Sequence, residues 1–146
     1  DYEDIFAVQK LMTIEVDEKS AKIARKNFKM AGVSDKINLF LGDAGEILPF
    51  MEDQFDLIFM DGPKAQYLNY FNYCTGLLRP GGILICDDVL FYGMVANNNI
   101  INKRKITIVK RMRKFLNIIC NHPQYVTSII PLGDGVSISY KKEAVQ

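Results

Sequence analysis

The sequence contains one histidine and three cysteines among 146 residues, and each shortage removes a class of chemistry. Cys74, Cys86 and Cys120 are odd in number and outside Cys-x-x-Cys spacing, so neither a disulfide framework nor a zinc site is expected. They read as buried thiols of a reducing compartment. His122 stands just before Pro123, where the pattern predicts a helix to end, and reads as structural. No Ser-His-Asp triad, Cys-His pair or histidine metal cluster can be assembled. No apolar run approaches the roughly 18 residues that span a bilayer. The opening DYEDIFAVQK lacks the basic-then-apolar pattern of a signal peptide. A cytoplasmic protein with no membrane partner is expected.

The most informative shortage is of acid. Between Asp88 and Asp134 there is no carboxylate. Residues 1–88 hold 15 Asp and Glu against 9 Lys and Arg, whereas residues 89–146 hold 2 against 9. The net charge of +1 therefore conceals an acidic half suited to cations and a basic half. The basic half suits an anionic partner or, equally well, a solvated helix face.

What is present is ordinary globular composition, 49% hydrophobic and 24% charged, at a length that supports one domain over residues 1–146. Short apolar runs alternate with helical periodicity, the pattern of βαβ units on a mostly parallel sheet. Strands are predicted at residues 11–16, 37–41, 55–60 and 83–86. The last of these, ILIC, is continuously apolar, as in a strand covered on both faces. Asp17 is placed to cap a helix whose stripe is Ala21, Ala24, Phe28 and Ala31 and which Gly32 ends. Further helices are predicted near residues 44–51 and 65–78, and Arg79-Pro80-Gly81-Gly82 reads as a turn.

A loop over residues 91–99 leads to a long helix over 101–121. Its apolar face is Ile101, Ile108, Met112, Phe115 and Ile119, joined by Val109, Leu116 and Cys120. Lys103, Arg104, Lys110, Arg111 and Lys114 lie opposite, while Lys105 falls on the apolar side, which points to a later start. Strands at 125–131 and 136–141, joined through Leu132-Gly133-Asp134-Gly135, predict a closing antiparallel hairpin.

The parallel strands end on acids: Glu15, Asp43, Asp61, and the pair Asp87 and Asp88. Ligands in open α/β sheets bind beyond the carboxyl ends of the strands, so these five carboxylates are expected along one edge with hydroxyls, amines or a cation balancing them. Glu15 suits ribose hydroxyls or is a helix-flanking surface acid. Asp43 suits an adenine amino group or caps the helix starting at Ala44. Asp61, Asp87 and Asp88 offer hard oxygen ligands, suited to Mg²⁺ or Ca²⁺; a plain loop acid pair is the simpler alternative for the last two. Lys64, three residues after Asp61, is either a general base with a lowered pKa or a charge partner for the acids.

These residues resemble the bacterial branch of the class I cation-dependent O-methyltransferases, the family that includes catechol and caffeoyl-CoA O-methyltransferases. The matching stretches, in order, are TIEVDEKSAKIARKNF, LGDA, FDLIFMDGPKAQY, LLRPGGILICDDVLFYG and GDGVSISYKK, within residues 11–142. The resemblance implies a Rossmann-like methyltransferase sheet, S-adenosylmethionine as methyl donor, and commonly a homodimer. It also implies a divalent cation such as Mg²⁺ on Asp61, Asp87 and Asp88 that binds the acceptor's oxygen pair and lowers its hydroxyl pKa. Lys64 then corresponds to the base, with Asp61 beside it, and Glu15, Asp43 and Asp61 to cofactor contacts.

Within the family the stretch DDVLFYGMV is most similar to bacterial members that methylate 5-hydroxyuridine in tRNA. That similarity implies tRNA as acceptor, with Lys103, Arg104, Lys110, Arg111 and Lys114 toward its phosphates. Tyr92 stands where that branch commonly has arginine, which keeps a small catechol-like phenol as the second acceptor.

Three departures from the family pattern stand out. Asp88 replaces a usual asparagine, and Asp-Gly-Pro-Lys, with Pro63, replaces a more usual Asp-Ala-Ala-Lys. The family's first strand and glycine-rich loop belong before Leu11, where DYEDIFAVQK has no glycine. A sheet without that strand would expose apolar edges, so a longer parent chain is expected, and these residues alone should bind S-adenosylmethionine poorly. Two rival readings are weaker. A nicotinamide-dependent oxidoreductase explains Glu15 but not the aspartates; an RNA-binding module with a relict cofactor cleft explains only the basic helix.

Overall fold

The computed structural model describes residues 10–97 and 105–143, and the chain divides into two compact units, residues 1–50 and 51–146. The first unit runs β1 (Leu11–Glu15), α1 (Glu18–Met30), β2 (Ile37–Leu41) and α2 (Ala44–Ile47). β1 and β2 pair in parallel, Leu11 opposite Ile37 and Glu15 opposite Leu41. Asp17 caps α1 as expected, accepting from the Ser20 backbone N–H at 2.7 Å. At the other end Val33 N–H reaches Phe28 O at 3.0 Å and Gly32 N–H reaches Lys29 O at 3.2 Å. With Gly32 at φ +69° this is a Schellman stop. Ala21, at the head of the apolar stripe, is fully buried.

The second unit runs β3 (Phe55–Met60), α3 (Tyr67–Leu77), β4 (Leu78–Cys86), α4 (Ile106–Cys120), β5 (Tyr125–Ile130) and β6 (Val136–Lys141). Its strand order is β3-β4-β6-β5, with β3 and β4 parallel and the other pairs antiparallel. The predicted hairpin is present. Helices α3 and α4 meet through Phe115, whose ring lies 5.6 Å from Tyr67 and 6.0 Å from Phe71 in edge-on contacts. His122 packs 5.7 Å from Phe71 and 5.1 Å from Tyr125, and its Nδ1 accepts from Gln124 N–H, a structural role.

Four expectations are corrected. Residues 79–82 do not form a separate turn: they belong to β4, bulging where the register with β3 slips between Phe55–Leu78 and Leu57–Ile83. β4 is not covered on both faces among the described residues. Leu84 and Cys86 are fully buried, while Ile83, in one row with Leu57, Tyr140 and Val126, is exposed as they are. α4 begins at Ile106, so Lys105 is its cap, as its place on the apolar side suggested; Ile101, Lys103 and Arg104 lie outside the described residues. Cys74 and Cys86 are buried, but Cys120, at the last position of α4, is exposed. No helix among the described residues is long and apolar enough to cross a membrane.

Gly135 closes the hairpin at φ +85°, and a Cβ there would collide with Leu90. Gly135→Ala should therefore destabilise the protein by about 1–3 kcal/mol from overpacking, with backbone strain added. Thermal unfolding measures it, and an unchanged midpoint would refute the contact.

Candidate active site

β3 and β4 end side by side, Met60 opposite Cys86. The next residue of each strand, Asp61 and Asp87, therefore leaves the sheet at neighbouring points, and the Asp87 N–H still reaches Met60 O at 3.0 Å. After Asp61 the chain turns through Gly62 and Pro63 into a single 3-10 turn, Lys64–Gln66, and then α3. Gly62 permits the close turn, since a Cβ there would stand 3.2 Å from the Tyr70 ring.

The turn carries Lys64 inward. Its ammonium lies 3.0 Å from Asp61 Oδ1 and 3.2 Å from Asp88 Oδ2, with the lysine side chain 12% exposed and the two carboxylates 53% and 45%. It also donates to Tyr67 Oη at 2.8 Å. The Tyr67 hydroxyl in turn faces Asp87 O at 2.9 Å and Met60 O at 3.2 Å, so one buried phenol ties both strand ends to the lysine. Burial pushes the Tyr67 phenol up to about 12, against the opposing pull of Lys64, so it is a neutral donor at physiological pH.

Tyr67 was not among the residues singled out from the sequence. The available signal was its position three residues after Lys64, one turn further along the same helical stretch.

Two sequence expectations change here. Burial by itself lowers the Lys64 pKa, but its interactions with Tyr67, Asp61 and Asp88 outweigh it and raise the pKa above its ordinary 10.5. A lowered pKa was expected for a base; the structure holds Lys64 as an ammonium. Since the folded value is the raised one, the stabilisation is fully present below 10.5 and is lost only as pH rises beyond it.

Nor do Asp61, Asp87 and Asp88 converge as a preformed metal cage. Among the described residues no three His, Cys, Asp or Glu side chains are grouped to hold an ion. Lys64 occupies the point between Asp61 and Asp88, and Asp87 Oδ1 accepts from the Asp88 N–H at 2.7 Å. The donor set, three hard carboxylates at adjacent strand ends, still has the chemistry of a Mg²⁺ or Ca²⁺ site.

The loop after β4 is strained. Asp88, Phe91 and Tyr92 all have positive φ, at 52°, 47° and 56°, a left-handed conformation that costs each non-glycine residue about 1–3 kcal/mol. Tyr92 is 72% exposed, and Lys105 Nζ sits 4.0 Å from its ring centroid.

In the first unit, Glu15 ends β1 and Asp43 follows the carboxyl end of β2. Glu15 Oε1 accepts from Asp17 N–H at 2.8 Å, and Asp43 Oδ1 from Gly45 N–H at 2.6 Å. Asp43 is thus the cap of α2, one of the two jobs read for it, and a carboxylate's further lone pairs leave room for the other.

The basic helix is less uniform than its sequence. Lys110, Arg111 and Lys114 are exposed, but the Arg113 guanidinium reaches Val95 O at 3.0 Å, Met94 O at 3.3 Å and Asn97 O at 2.5 Å.

Comparison with known proteins places this geometry. An O-methyltransferase family model matches residues 5–142. The chain belongs to the O-methyltransferase family. Among its relatives, a catechol O-methyltransferase from Niastella koreensis is 36% identical over 94 residues, covering 62% of this chain and 42% of its own. The mouse catechol O-methyltransferase domain-containing protein 1 is 34% identical over 137 residues, covering 90% of this chain and 51% of its own. The chain spans about half the length of the curated relatives it matches. An O-methyltransferase from Bacillus cereus, solved in complex with SAH, superposes with a TM-score of 0.79 at 28% identity, over 91% of this chain and 63% of that one. The fold is therefore the Rossmann-like α/β fold of class I methyltransferases.

Proposed function

We propose that the full-length protein transfers the methyl group of S-adenosylmethionine to a hydroxyl oxygen, with the chemistry centred on the Asp61, Lys64, Tyr67 and Asp88 cluster. The observation that carries the reading is this half-buried ammonium bound by two carboxylates and a phenol at adjacent parallel strand ends, in a chain of this family. Glu15 and Asp43 are assigned to the ribose and adenine of the donor, as acceptors of its hydroxyl and amino hydrogens. Tyr67 fixes Lys64, and Lys64 fixes the Asp61 and Asp88 side chains that face the acceptor.

Asp61, Asp87 and Asp88 are the residues that would hold a divalent ion, which would supply Lewis-acid activation of the acceptor hydroxyl. Two of these carboxylates, Asp61 and Asp88, also hold the Lys64 ammonium, each through one oxygen, which leaves the other oxygen of each for an ion. Of the two roles read for Lys64, its surroundings support the charge partner, and the family resemblance supports the base. The reaction is assigned to the cytoplasm, in keeping with the buried thiols of Cys74 and Cys86, and to a homodimer by family resemblance.

For the acceptor, the reading is 5-hydroxyuridine in tRNA, whose 5-hydroxyl and 4-carbonyl form an oxygen pair. Exposed Lys110, Arg111 and Lys114 on α4, in a stretch with no acid from residue 89 to 133, suit a phosphate backbone. A small catechol-like phenol is the second reading, favoured by the names of the relatives. The full-length protein should methylate tRNA from a strain lacking 5-methoxyuridine, with transfer falling steeply as salt rises. Efficient catechol turnover with no transfer to tRNA at low salt would refute the tRNA reading and leave the phenol.

A further inference from the structure

The loop that follows β4 carries three left-handed non-glycine residues within five positions, Asp88, Phe91 and Tyr92. Such strain persists only where surrounding groups over-determine the backbone. Two sets of groups do so here, and neither belongs to the assigned chemistry. On one side is the β5–β6 hairpin: Val89 N–H donates to Gly135 O and Leu90 N–H to Asp134 O, both at 2.9 Å. The Asp134 side chain adds a third bond, its Oδ2 accepting from the Tyr92 N–H at 2.7 Å. On the other side is α4, where Arg113 donates to three carbonyls of residues 94–97. A carboxylate therefore grips the start of the loop and a guanidinium its end, both through charge-assisted bonds to backbone. Asp88, bound to Lys64, immediately precedes the gripped segment, and the exposed Tyr92 is held within it.

We propose that Asp134 and Arg113 are positioning residues that clamp the loop of residues 88–97, fixing Asp88 and Tyr92 on the acceptor side of the centre. The proposal rests on the transferase reading above. It also ties Arg113 to the loop rather than to a phosphate, since its Nε and one terminal nitrogen already have backbone partners. Asp134 is the more diagnostic jaw. Its backbone bonds survive any substitution, so Asp134→Ala removes the bond to Tyr92 and little else, while Asp134→Asn keeps an acceptor oxygen in place.

The test uses two readouts on the full-length protein. In hydrogen exchange, Asp134→Ala should speed exchange of the Tyr92 amide by about tenfold or more, and Asp134→Asn by clearly less. In steady-state kinetics, with whichever of catechol and tRNA the wild type methylates, Asp134→Ala should raise the acceptor KM by about tenfold, with the KM for S-adenosylmethionine within about twofold. Asp134→Asn should recover most of that rise. Unchanged Tyr92 exchange in Asp134→Ala would overturn the clamp. Faster exchange with an unaltered acceptor KM, or equal rises for both substrates, would overturn its positioning role. Failure of the wild type to methylate any hydroxyl would sink the transferase reading and the acceptor role together, while the exchange data would still decide the clamp.

Discussion

Lys64→Ala lowers turnover of the full-length protein by about 10² or more, with little change in affinity for S-adenosylmethionine. Among the described residues the lysine is the cation to which Asp61, Asp88 and the Tyr67 hydroxyl are all bonded. Its removal leaves two neighbouring carboxylates without their shared partner and a buried phenol without its donor. The two carboxylates lose their fixed positions, and a shift of about an ångström is enough to disrupt a reacting geometry. Steady-state kinetics with S-adenosylmethionine and the accepted hydroxyl substrate measure the effect. A fall of less than threefold would reduce Lys64 to a charge partner of no catalytic weight.

Asp61→Asn and Asp87→Asn each lower turnover by about 10³, the scale of lost Lewis-acid activation, without altering the fold. Asp61 stands 53% exposed at the end of β3, so the amide is accommodated sterically and only charge and ligand strength change. Asp88→Asn has a smaller effect, since the resemblance makes asparagine the usual residue there and an amide oxygen still serves as a ligand. Circular dichroism checks the fold and turnover against added Mg²⁺ checks the site. Equal loss in all three variants would show that total negative charge matters and individual ligands do not.

What the sequence made visible follows from how local each signal is. β2 and β3 were read to the residue because short, mainly apolar runs bounded by polar or turn residues leave no competing element. Asp17 and Gly32 marked the ends of α1 because capping depends on residues within one turn. Arg79-Pro80-Gly81-Gly82 misled because its composition is that of a turn, whereas β4 absorbs these residues as a bulge against β3, a pairing that no local pattern reveals. Cys120 looked apolar by position on α4, but it is the last residue of the helix and is exposed.

The candidate site shows the same division. Asp61, Asp87, Asp88 and Lys64 were all found, because acids that end parallel strands are a topological signal. Their pairing was not. Proximity of a lysine to acids can lower its pKa through a metal or raise it through the acids, and only the distances to Asp61, Asp88 and Tyr67 decide the sign. Tyr67 was missed because a tyrosine at the start of an apolar helix looks like core; it is core, and its hydroxyl is the part that bonds Lys64 and both strand ends.

Methyl transfer by the full-length protein, followed from labelled S-adenosylmethionine to tRNA lacking 5-methoxyuridine and to catechol, tests the aspartate centre most directly when a strong chelator is titrated in and Mg²⁺ is then restored. Transfer should fall to background with chelator and return with Mg²⁺, and Asp61→Asn should show neither phase. Full transfer in the presence of excess chelator would contradict a role for Asp61, Asp87 and Asp88 as ligands.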